Sequence, residues 1–203
     1  MYYFFISYLY MAEFNEKNFN SNNGMLTYIW GPSFWHILHT ISFNYPTNPT
    51  IQDKRNYKNF FKCIQHVLPC SHCRKNVVKN MVTLPLTNNV FKNRNTLSLW
   101  VFKLHNKVNK MLGKKNKLTY KIVRNRYENF RSRCNSKKKY ISNGGGNIYT
   151  KKKENGCTEP VTGVKSKCIL QIVPINSKKK TFKISKNCLC KVNGKRVYDP
   201  DTL

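Results

Sequence analysis

Apolar residues recur every three to four positions in four consecutive segments of the chain, and short stretches bearing proline or asparagine separate these segments. This spacing places the apolar residues on one face of an α-helix, so each segment predicts a helix with one buried side. A shorter basic segment predicts a fifth helix, and the same region has no strand pattern. We therefore predict a mainly α protein built as a helical bundle. The five segments are 30–45, 51–68, 69–81, 96–112 and 118–134.

The remainder of the sequence predicts three further regions. Residues 1–28 are expected to form a loose tail. Its opening MYYFFISYLY is too short to span a bilayer and lacks the features of a signal peptide, so we expect Met11 to be the true start. The alternative is an aromatic N-terminal tail that packs on the domain. After a helical domain at 29–134, lysine runs and a glycine triplet over 135–156 predict a linker. Residues 157–203 predict a small β module with its own cysteines, because KCILQIVP and KTFKIS alternate like strands.

The net charge of +29 comes from 37 Lys and Arg against 8 Asp and Glu. Two explanations stay open. The first is an A/T-rich genome, because Lys, Asn, Ile, Tyr and Phe all have A/T-rich codons and all are plentiful. The second is an electrostatic footprint for nucleic acid or for acidic proteins. Only 8 of the cations are Arg, which weakens the case for nucleic acid.

Eight cysteines in a chain without an evident targeting segment indicate metal or redox chemistry. A structural zinc site needs four ligands in two close pairs. After Cys70 and Cys73 the next cysteine is Cys134, and the pair Cys188 and Cys190 belongs to the other module. A redox pair needs only these two residues. Cys70 at a helix N-terminus would meet free backbone amides that stabilise a thiolate, and Cys73, one turn further on, would face the bundle. The eight cysteines are 63, 70, 73, 134, 157, 168, 188 and 190.

Two polar groups on otherwise apolar helices suggest an electron acceptor inside the bundle. Trp35 and His39 are four residues apart, so they share one face of the first helix. A second group lies at the end of the 96–112 helix. Together these side chains offer stacking surfaces, hydrogen-bond donors and a cation, as an adenine dinucleotide requires. The second group is His105, Asn106, Asn109 and Lys114.

Three stretches carry a family resemblance: WGPSFWHILHTISFNYP, LPCSHCRKNV and TLSLWVFKLHNKVNKMLGK. In this order and with compatible gaps, they resemble the Erv/ALR family of FAD-dependent sulfhydryl oxidases, which is marked by W-x-x-x-H, Y-P, C-x-x-C and H-N-x-V-N-x-x-L-G-K. The resemblance covers about residues 30–134. YENFRSRC and GCTEPVTGVKSKC are similar to the versions carried by large cytoplasmic DNA viruses.

The resemblance implies an FAD-binding four-helix bundle with a short fifth helix, paired as a homodimer. It implies that Cys70 exchanges with substrate and that Cys73 lies beside the isoalloxazine ring. Trp35 and His39 would pack on the flavin and adenine, and Tyr45 would line the site. His105, Asn106 and Asn109 would hold the adenosine part and Lys114 the phosphates. Gly31 and Trp100 complete the expected cofactor-binding set.

The implied reaction passes electrons from a protein dithiol through Cys70 and Cys73 to FAD and then to oxygen, which gives hydrogen peroxide. A thioredoxin-like protein is a further expected partner, and the host cytoplasm or the virion is the expected location.

The sequence departs from the family in its other cysteines. No cysteine occurs in KKNKLTYK, where cellular relatives begin a long-range structural disulfide, so that bond is absent or replaced. Cys63 with Cys134 is one replacement left open. A shuttle, if one exists, would be Cys188 and Cys190, another C-terminal cysteine, or a separate partner protein. The alternative function is a basic, zinc-stabilised nucleic-acid-binding or scaffold protein.

Overall fold

The computed structural model describes residues 15–115, 118–133, 156–157 and 159–161, together with four short strands further on. In this part the mainly α architecture is confirmed. The helices are α1 (Glu16–Phe19), α2 (Thr27–Asn44), α3 (Ile51–Val67), α4 (Ser71–Thr83), a 3₁₀ helix (Asn88–Phe91), α5 (Arg94–Met111) and α6 (Tyr120–Glu128).

Local sequence sets the ends of the long helices. Thr50 and Asp53 form a capping box at the start of α3, and Asn93 and Thr96 form one at the start of α5. The backbone of Leu68 leaves the helical region at the end of α3, with a ψ of 130°, as expected for a residue that precedes a proline. These signals explain why the observed bounds of α3 and α5 lie within two residues of those predicted.

The start of α2 differs from the prediction. The helix begins at Thr27, so Pro32 lies inside it and not at its front. Proline disfavours a helical conformation of the preceding residue mainly through that residue's Cβ, and Gly31 has none. The missing N–H of Pro32 removes only one hydrogen bond, to the carbonyl of Tyr28. The chain before α2 is also not loose from residue 15 onward, because it contains α1 and an isolated antiparallel bridge between Gly24 and Cys70.

Four long helices enclose the main core. Helix α2 packs against α5, and α3 packs against α4 and the 3₁₀ helix. A second, smaller apolar cluster joins α6 to α2 through Phe43, Val123 and Tyr127. The main core therefore supports α2 and α5, which carry Trp35, His39 and His105, and it supports α4, which begins at the cysteine pair. Its buried members are Leu38, Tyr45, Phe61, Ile64, Leu68, Val77, Val90, Phe91, Leu97, Trp100, Val101 and Leu104.

The C-terminal half contributes short strands in antiparallel pairs. Strand β3 (Cys168–Leu170) pairs with β4 (Phe182–Ile184), which is the hairpin predicted from the alternating segments. Strand β5 (Lys191–Val192) pairs with β6 (Lys195–Arg196). Strand β1 (Ser132–Arg133) follows α6 and pairs with β2 (Glu159–Pro160), so the end of the helical domain contacts the start of the predicted β module. Apart from Gly156, the predicted linker, 135–156, lies outside the described residues.

Within the described part of the chain, no helix is both long enough and apolar enough to cross a membrane.

Candidate redox and cofactor site

The two cysteines of LPCSHC form a disulfide at the start of α4, with their Cα atoms 5.2 Å apart. Cys70 is the N-cap residue, and its sulfur accepts a hydrogen bond from the backbone amide of Cys73, with 3.1 Å between N and Sγ. Cys73 lies one turn further on and packs against the main core. The pair therefore has the predicted asymmetry, with Cys70 at the helix end and Cys73 directed into the bundle.

The surroundings of this disulfide are basic. The sequence contains no Asp or Glu between Asp53 and Glu128, a span that includes all of α4 and α5. Lys75 is exposed on α4. The side chain of Arg74 donates from Nη1 to the carbonyl of Leu68, 2.6 Å away, which holds its guanidinium beside the loop that precedes Cys70. This positive potential favours any thiolate formed at the pair.

Trp35 and His39 of α2 meet His105 of α5 in one group of aromatic side chains, which we call the ring cluster. The Trp35 and His105 rings stack with centroids 4.1 Å apart and planes within 5° of parallel. Nε2 of His39 lies 3.0 Å from Nδ1 of His105, which makes a buried hydrogen bond between the two helices. Nδ1 of His39 is buried and has no partner among the described residues. The two helices therefore bring together three of the predicted cofactor residues and leave one polar atom unsatisfied.

Both buried histidines are neutral at physiological pH. Burial, followed by the nearby His105, lowers the pKa of His39 to about 3. Burial, followed by the nearby Lys114, lowers the pKa of His105 to about 4. In the neutral pair one imidazole donates its proton and the other accepts it, so the ring cluster is uncharged.

The end of α5 adds amides and a cation to this cluster. Asn109 is buried and Asn106 is half-buried on the same helix. Lys114 is exposed just after the helix, and its backbone amide donates to the carbonyl of Asn109, with 2.9 Å between N and O. After burial, the positive charge of Lys114 is the second cause that lowers the pKa of His105.

Three other predicted cofactor residues lie elsewhere in the bundle. Tyr45 is fully buried, and its hydroxyl donates to the carbonyl of Phe91, 2.9 Å away. Trp100 is buried in the main core and donates from Nε1 to the carbonyl of Leu84, 3.2 Å away. Gly31 is half-buried within α2. The hydrogen-bonding groups of Tyr45 and Trp100 are thus engaged within the protein.

His36 and Tyr127 belong to the same site and were not predicted from the sequence. Nδ1 of His36 lies 3.2 Å from the hydroxyl of Tyr127, and the Tyr127 ring stacks on His39 with centroids 5.1 Å apart. Burial lowers the pKa of His36 as well. Tyr127 shares a helical face with Val123, four residues earlier, and that spacing could have indicated a residue facing the bundle. Nothing in the sequence indicated that α6 would meet α2 at His39.

These residues fit a dinucleotide cofactor. A stacked aromatic pair gives a planar surface for a ring system, and the unsatisfied Nδ1 of His39 can bond a polar ligand atom in a buried place. Lys114 adds a cation suited to phosphate oxygens, and the side chains of Asn106 and Asn109 carry both donors and acceptors.

Comparison with known proteins identifies the family. Residues 32–128 match the family described as Erv1 / Alr. The chain is 35% identical over 92 residues to the FAD-linked sulfhydryl oxidase of African swine fever virus (isolate Pig/Kenya/KEN-50/1950), a match that covers 42% of this chain and 70% of the viral protein. This chain belongs to the Erv1/Alr family.

Two further similarities bear on the same region of this Erv1/Alr chain. It is 42% identical over 91 residues to "Probable FAD-linked sulfhydryl oxidase R368" of Acanthamoeba polyphaga mimivirus, over 45% of this chain and 63% of that protein. The match thus spans less than two thirds of the mimivirus protein's length. The crystal structure of the FAD binding domain of Erv1 from Saccharomyces cerevisiae is 32% identical, with a TM-score of 0.47, over 51% of this chain and 94% of that one.

The remaining cysteines of the Erv1/Alr chain are only partly as expected. Cys63 is a free, exposed thiol, so the replacement disulfide between Cys63 and Cys134 is not formed. Cys63 lies on the solvent-exposed side of α3, away from the core. Cys157 is disulfide-bonded. Cys188 and Cys190 lie outside the described residues. No group of three or more metal-binding side chains occurs in the described ranges, and the relatives do not support the zinc alternative.

Proposed function

We propose that this Erv1/Alr chain is an FAD-dependent thiol oxidase that forms disulfides in protein substrates. Electrons would pass from a substrate dithiol through Cys70 and Cys73 to FAD and then to oxygen, with hydrogen peroxide as the product. The observation that carries the proposal is a disulfide at a helix N-terminus whose inner cysteine packs on the same core as Trp35 of the ring cluster.

The ring cluster and the end of α5 are the proposed FAD site. Trp35 and His105 offer the stacking surface, and Nδ1 of His39 is free to bond the cofactor. Asn106 and Asn109 with Lys114 would bind the adenosine and the phosphates. Gly31, Tyr45 and Trp100 would line or support the site from α2 and the core. FAD, when bound, supplies a two-electron acceptor that oxygen can reoxidise.

The residues of the chain perform the thiol exchange. A substrate thiolate attacks Sγ of Cys70, a bond forms between these sulfurs, and the Cys70–Cys73 bond breaks with Cys73 leaving as a thiolate. The second substrate thiolate then attacks the substrate sulfur of the mixed disulfide, which completes the substrate disulfide and releases Cys70. The substrate has then lost two electrons, and the cysteine pair has gained them.

The N-terminus of α4 assists the second exchange. Cys70 is the leaving group in that step, and the Cys73 amide already donates a hydrogen bond to its sulfur. A leaving thiolate is stabilised by such an amide and by the positive end of the helix dipole. Cys73 packs against the core, whereas Cys70 lies at the end of the helix. Attack at Cys70 is therefore favoured over attack at Cys73.

The basic surroundings of Cys70 point to the charge of the substrate. Residues 54–127 contain no Asp or Glu. An approaching protein therefore meets the positive charges of Arg74 and Lys75, and no acidic side chain on α4 neutralises them. Acidic residues beside the substrate dithiol would be attracted to this surface and basic ones repelled. We accordingly propose protein dithiols in acidic segments as preferred substrates, with a thioredoxin-like protein as a further partner.

The proposed assembly is a homodimer, and the proposed location is the host cytoplasm or the virion. Support for the dimer comes from the family and from exposed apolar side chains on one side of α2, where Ile29 is 38% exposed and Ile37, about two turns further on, is 49% exposed. Sedimentation of the flavin-loaded protein, with and without Ile37→Glu, tests this assembly. A dimer that the substitution converts to a monomer agrees with it, and a monomeric parent protein contradicts it.

The activity itself is tested on purified protein. It should be yellow, and it should consume oxygen when dithiothreitol is supplied. Cys73→Ser should abolish turnover and retain the flavin, because it removes the inner sulfur but no stacking residue. Cys63→Ser, which changes a free exposed thiol, is the matched control and should keep full turnover. A colourless protein with stoichiometric zinc contradicts the oxidase, and undiminished oxygen consumption in Cys73→Ser contradicts the role of that sulfur.

A further inference from the structure

Three residues before α2 form a backbone bridge to the redox pair. We call residues 23–25 the strap. The amide of Met25 donates to the carbonyl of Pro69, with 2.7 Å between N and O, and the amide of Ser71 donates to the carbonyl of Asn23, with 3.1 Å between N and O. Gly24 thereby lies directly opposite Cys70 in an antiparallel bridge. The two hydrogen bonds hold the peptide groups on both sides of Cys70.

Only glycine fits at the centre of the strap. A Cβ on Gly24 would lie 2.6 Å from the carbonyl oxygen of Pro69 and 2.8 Å from the Cα of Cys70, closer than real Cβ atoms approach backbone. Gly24 also has a φ of 106°, a conformation that side chains disfavour. Any other residue at this position must therefore push the strap away from Cys70.

The strap is itself tied to the bundle. Nε1 of Trp30 donates to the carbonyl of Met25, with 3.1 Å between N and O, and the Trp30 ring packs against the main core. On the other side, the amide of Cys70 donates to the carbonyl of Leu68, with 2.8 Å between N and O. The backbone of Cys70 is therefore held from the core through Trp30 and from its own loop through Leu68.

We propose that the strap positions Cys70 for disulfide exchange and that Gly24 is a positioning residue of the reaction. The inference rests on the proposed redox function of Cys70 and Cys73. With the strap in place, the backbone keeps the two cysteines at the separation that the disulfide requires. When the strap is displaced, the reduced pair gains conformational freedom, the two thiols meet less often, and the equilibrium moves from disulfide towards dithiol.

The test measures this equilibrium on the cysteines themselves. In defined mixtures of glutathione and glutathione disulfide, two glutathione thiols give two electrons and two protons to the Cys70–Cys73 bond, yielding two thiols and one glutathione disulfide. Trapping free thiols with a maleimide and weighing the peptide that contains both cysteines gives the reduced fraction. Gly24→Ala should lower the equilibrium constant for disulfide formation about tenfold, from the loss of two backbone hydrogen bonds, which is about 30 mV towards easier reduction.

Two further variants make the test decisive. Trp30→Phe keeps an aromatic ring but removes the hydrogen bond to Met25, so it should shift the equilibrium in the same direction by less. Gly156→Ala is the matched control, because Gly156 also has a positive φ (118°) but no atom of the described residues lies within 4 Å of an added Cβ. It should leave the equilibrium unchanged. Flavin content should stay that of the unaltered protein in all three, since no proposed FAD ligand is changed.

Each outcome decides the proposal. A shift in Gly24→Ala and Trp30→Phe with none in Gly156→Ala supports it. An unshifted equilibrium in both strap variants overturns it, even if their melting temperatures fall, because the strap would then be structural only. An equal shift in Gly156→Ala also overturns it. If Gly24→Ala does not fold, Trp30→Phe decides alone by the same criterion. Failure of the unaltered protein to consume oxygen would refute the oxidase without changing this equilibrium.

Discussion

Acidification should destabilise this protein through the two buried histidines of the ring cluster. The pKa of His39 is lowered to about 3 and that of His105 to about 4, against a usual value of 6.5, chiefly by burial. As the pH falls through 6.5, the unfolded chain takes up protons on both residues and the folded chain does not. The stability that neutral histidines provide is therefore complete above that pH and declines until the folded pKa values are reached.

The size of the effect follows from the unfolded chain. At about pH 5 the protonated form of each histidine in the unfolded chain exceeds the neutral form by about thirtyfold. This protonation favours unfolding by about 2 kcal/mol per residue. At about pH 7.5 the same contribution is below about 0.1 kcal/mol. The shift from the higher to the lower pH thus removes about 4 kcal/mol for the pair, a large part of the 5–15 kcal/mol typical of a folded domain. Burial lowers the pKa of His36 also, so its contribution has the same sign.

Urea unfolding followed by circular dichroism at these two pH values, at one fixed FAD concentration, measures the loss. His39→Asn and His105→Asn should each reduce the pH-dependent loss by about 2 kcal/mol, whatever they cost at neutral pH. His66→Asn is the matched control, because His66 is an exposed histidine on α3. His66→Asn should lose as much stability on acidification as the parent protein does. If both ring-cluster variants lose as much stability on acidification as the parent does, the buried neutral pair is refuted as the cause.

Three more outcomes follow from the site. His105→Ala should release flavin during gel filtration, because it removes one face of the stacked pair, while His66→Ala should retain it; equal retention contradicts the proposed FAD site. Peptides of one length that carry a Cys-x-x-Cys dithiol between acidic or between basic residues should differ several-fold in KM, with the acidic one lower and kcat little changed. That difference should shrink at high salt and in Lys75→Glu; a difference that salt does not alter argues against electrostatic attraction. Trp100→Phe should cost about 1 kcal/mol in urea unfolding, since the carbonyl of Leu84 loses its donor; a loss of flavin without a loss of stability would instead make Trp100 a cofactor ligand.

Periodic local patterns predicted the parts of the molecule that depend on neighbouring residues. The long helices follow from apolar spacing, and the position of Cys70 at a helix end follows from Pro69 beside it. The pairing of Trp35 with His39 and the group around His105 were found the same way, because each group lies within one helix. Their meeting across α2 and α5 was suggested by chemistry, since a cofactor needs both.

Contacts between distant segments were not predictable in this way. The bridge between Gly24 and Cys70 joins residues 46 positions apart and has no repeating pattern. An isolated glycine in an Asn-rich stretch suggests a loose turn as readily as a close approach. The contact of Tyr127 with His39 likewise depends on how α6 lies against α2. Burial of Tyr45 with its hydroxyl bonded to the carbonyl of Phe91 depends on the 3₁₀ helix, which lies in a stretch predicted only to separate two helices.

No Lys, Arg, Asp or Glu side chain is buried in the described part of this highly charged chain. Within the described residues the buried polar side chains are those of His39, Ser42, Asn80, Ser98, His105 and Asn109, and the low pKa values keep both histidines neutral. The core of this part of the chain thus imposes no requirement for the surplus of lysine, and no lysine is among its buried residues. The two explanations of the net charge, genome composition and attraction of a partner, can be distinguished by experiment, because only attraction makes KM depend on salt and on the charge of the substrate. If acidic and basic dithiol peptides react alike at low salt, the charge does not select the substrate, and genome composition becomes the better explanation.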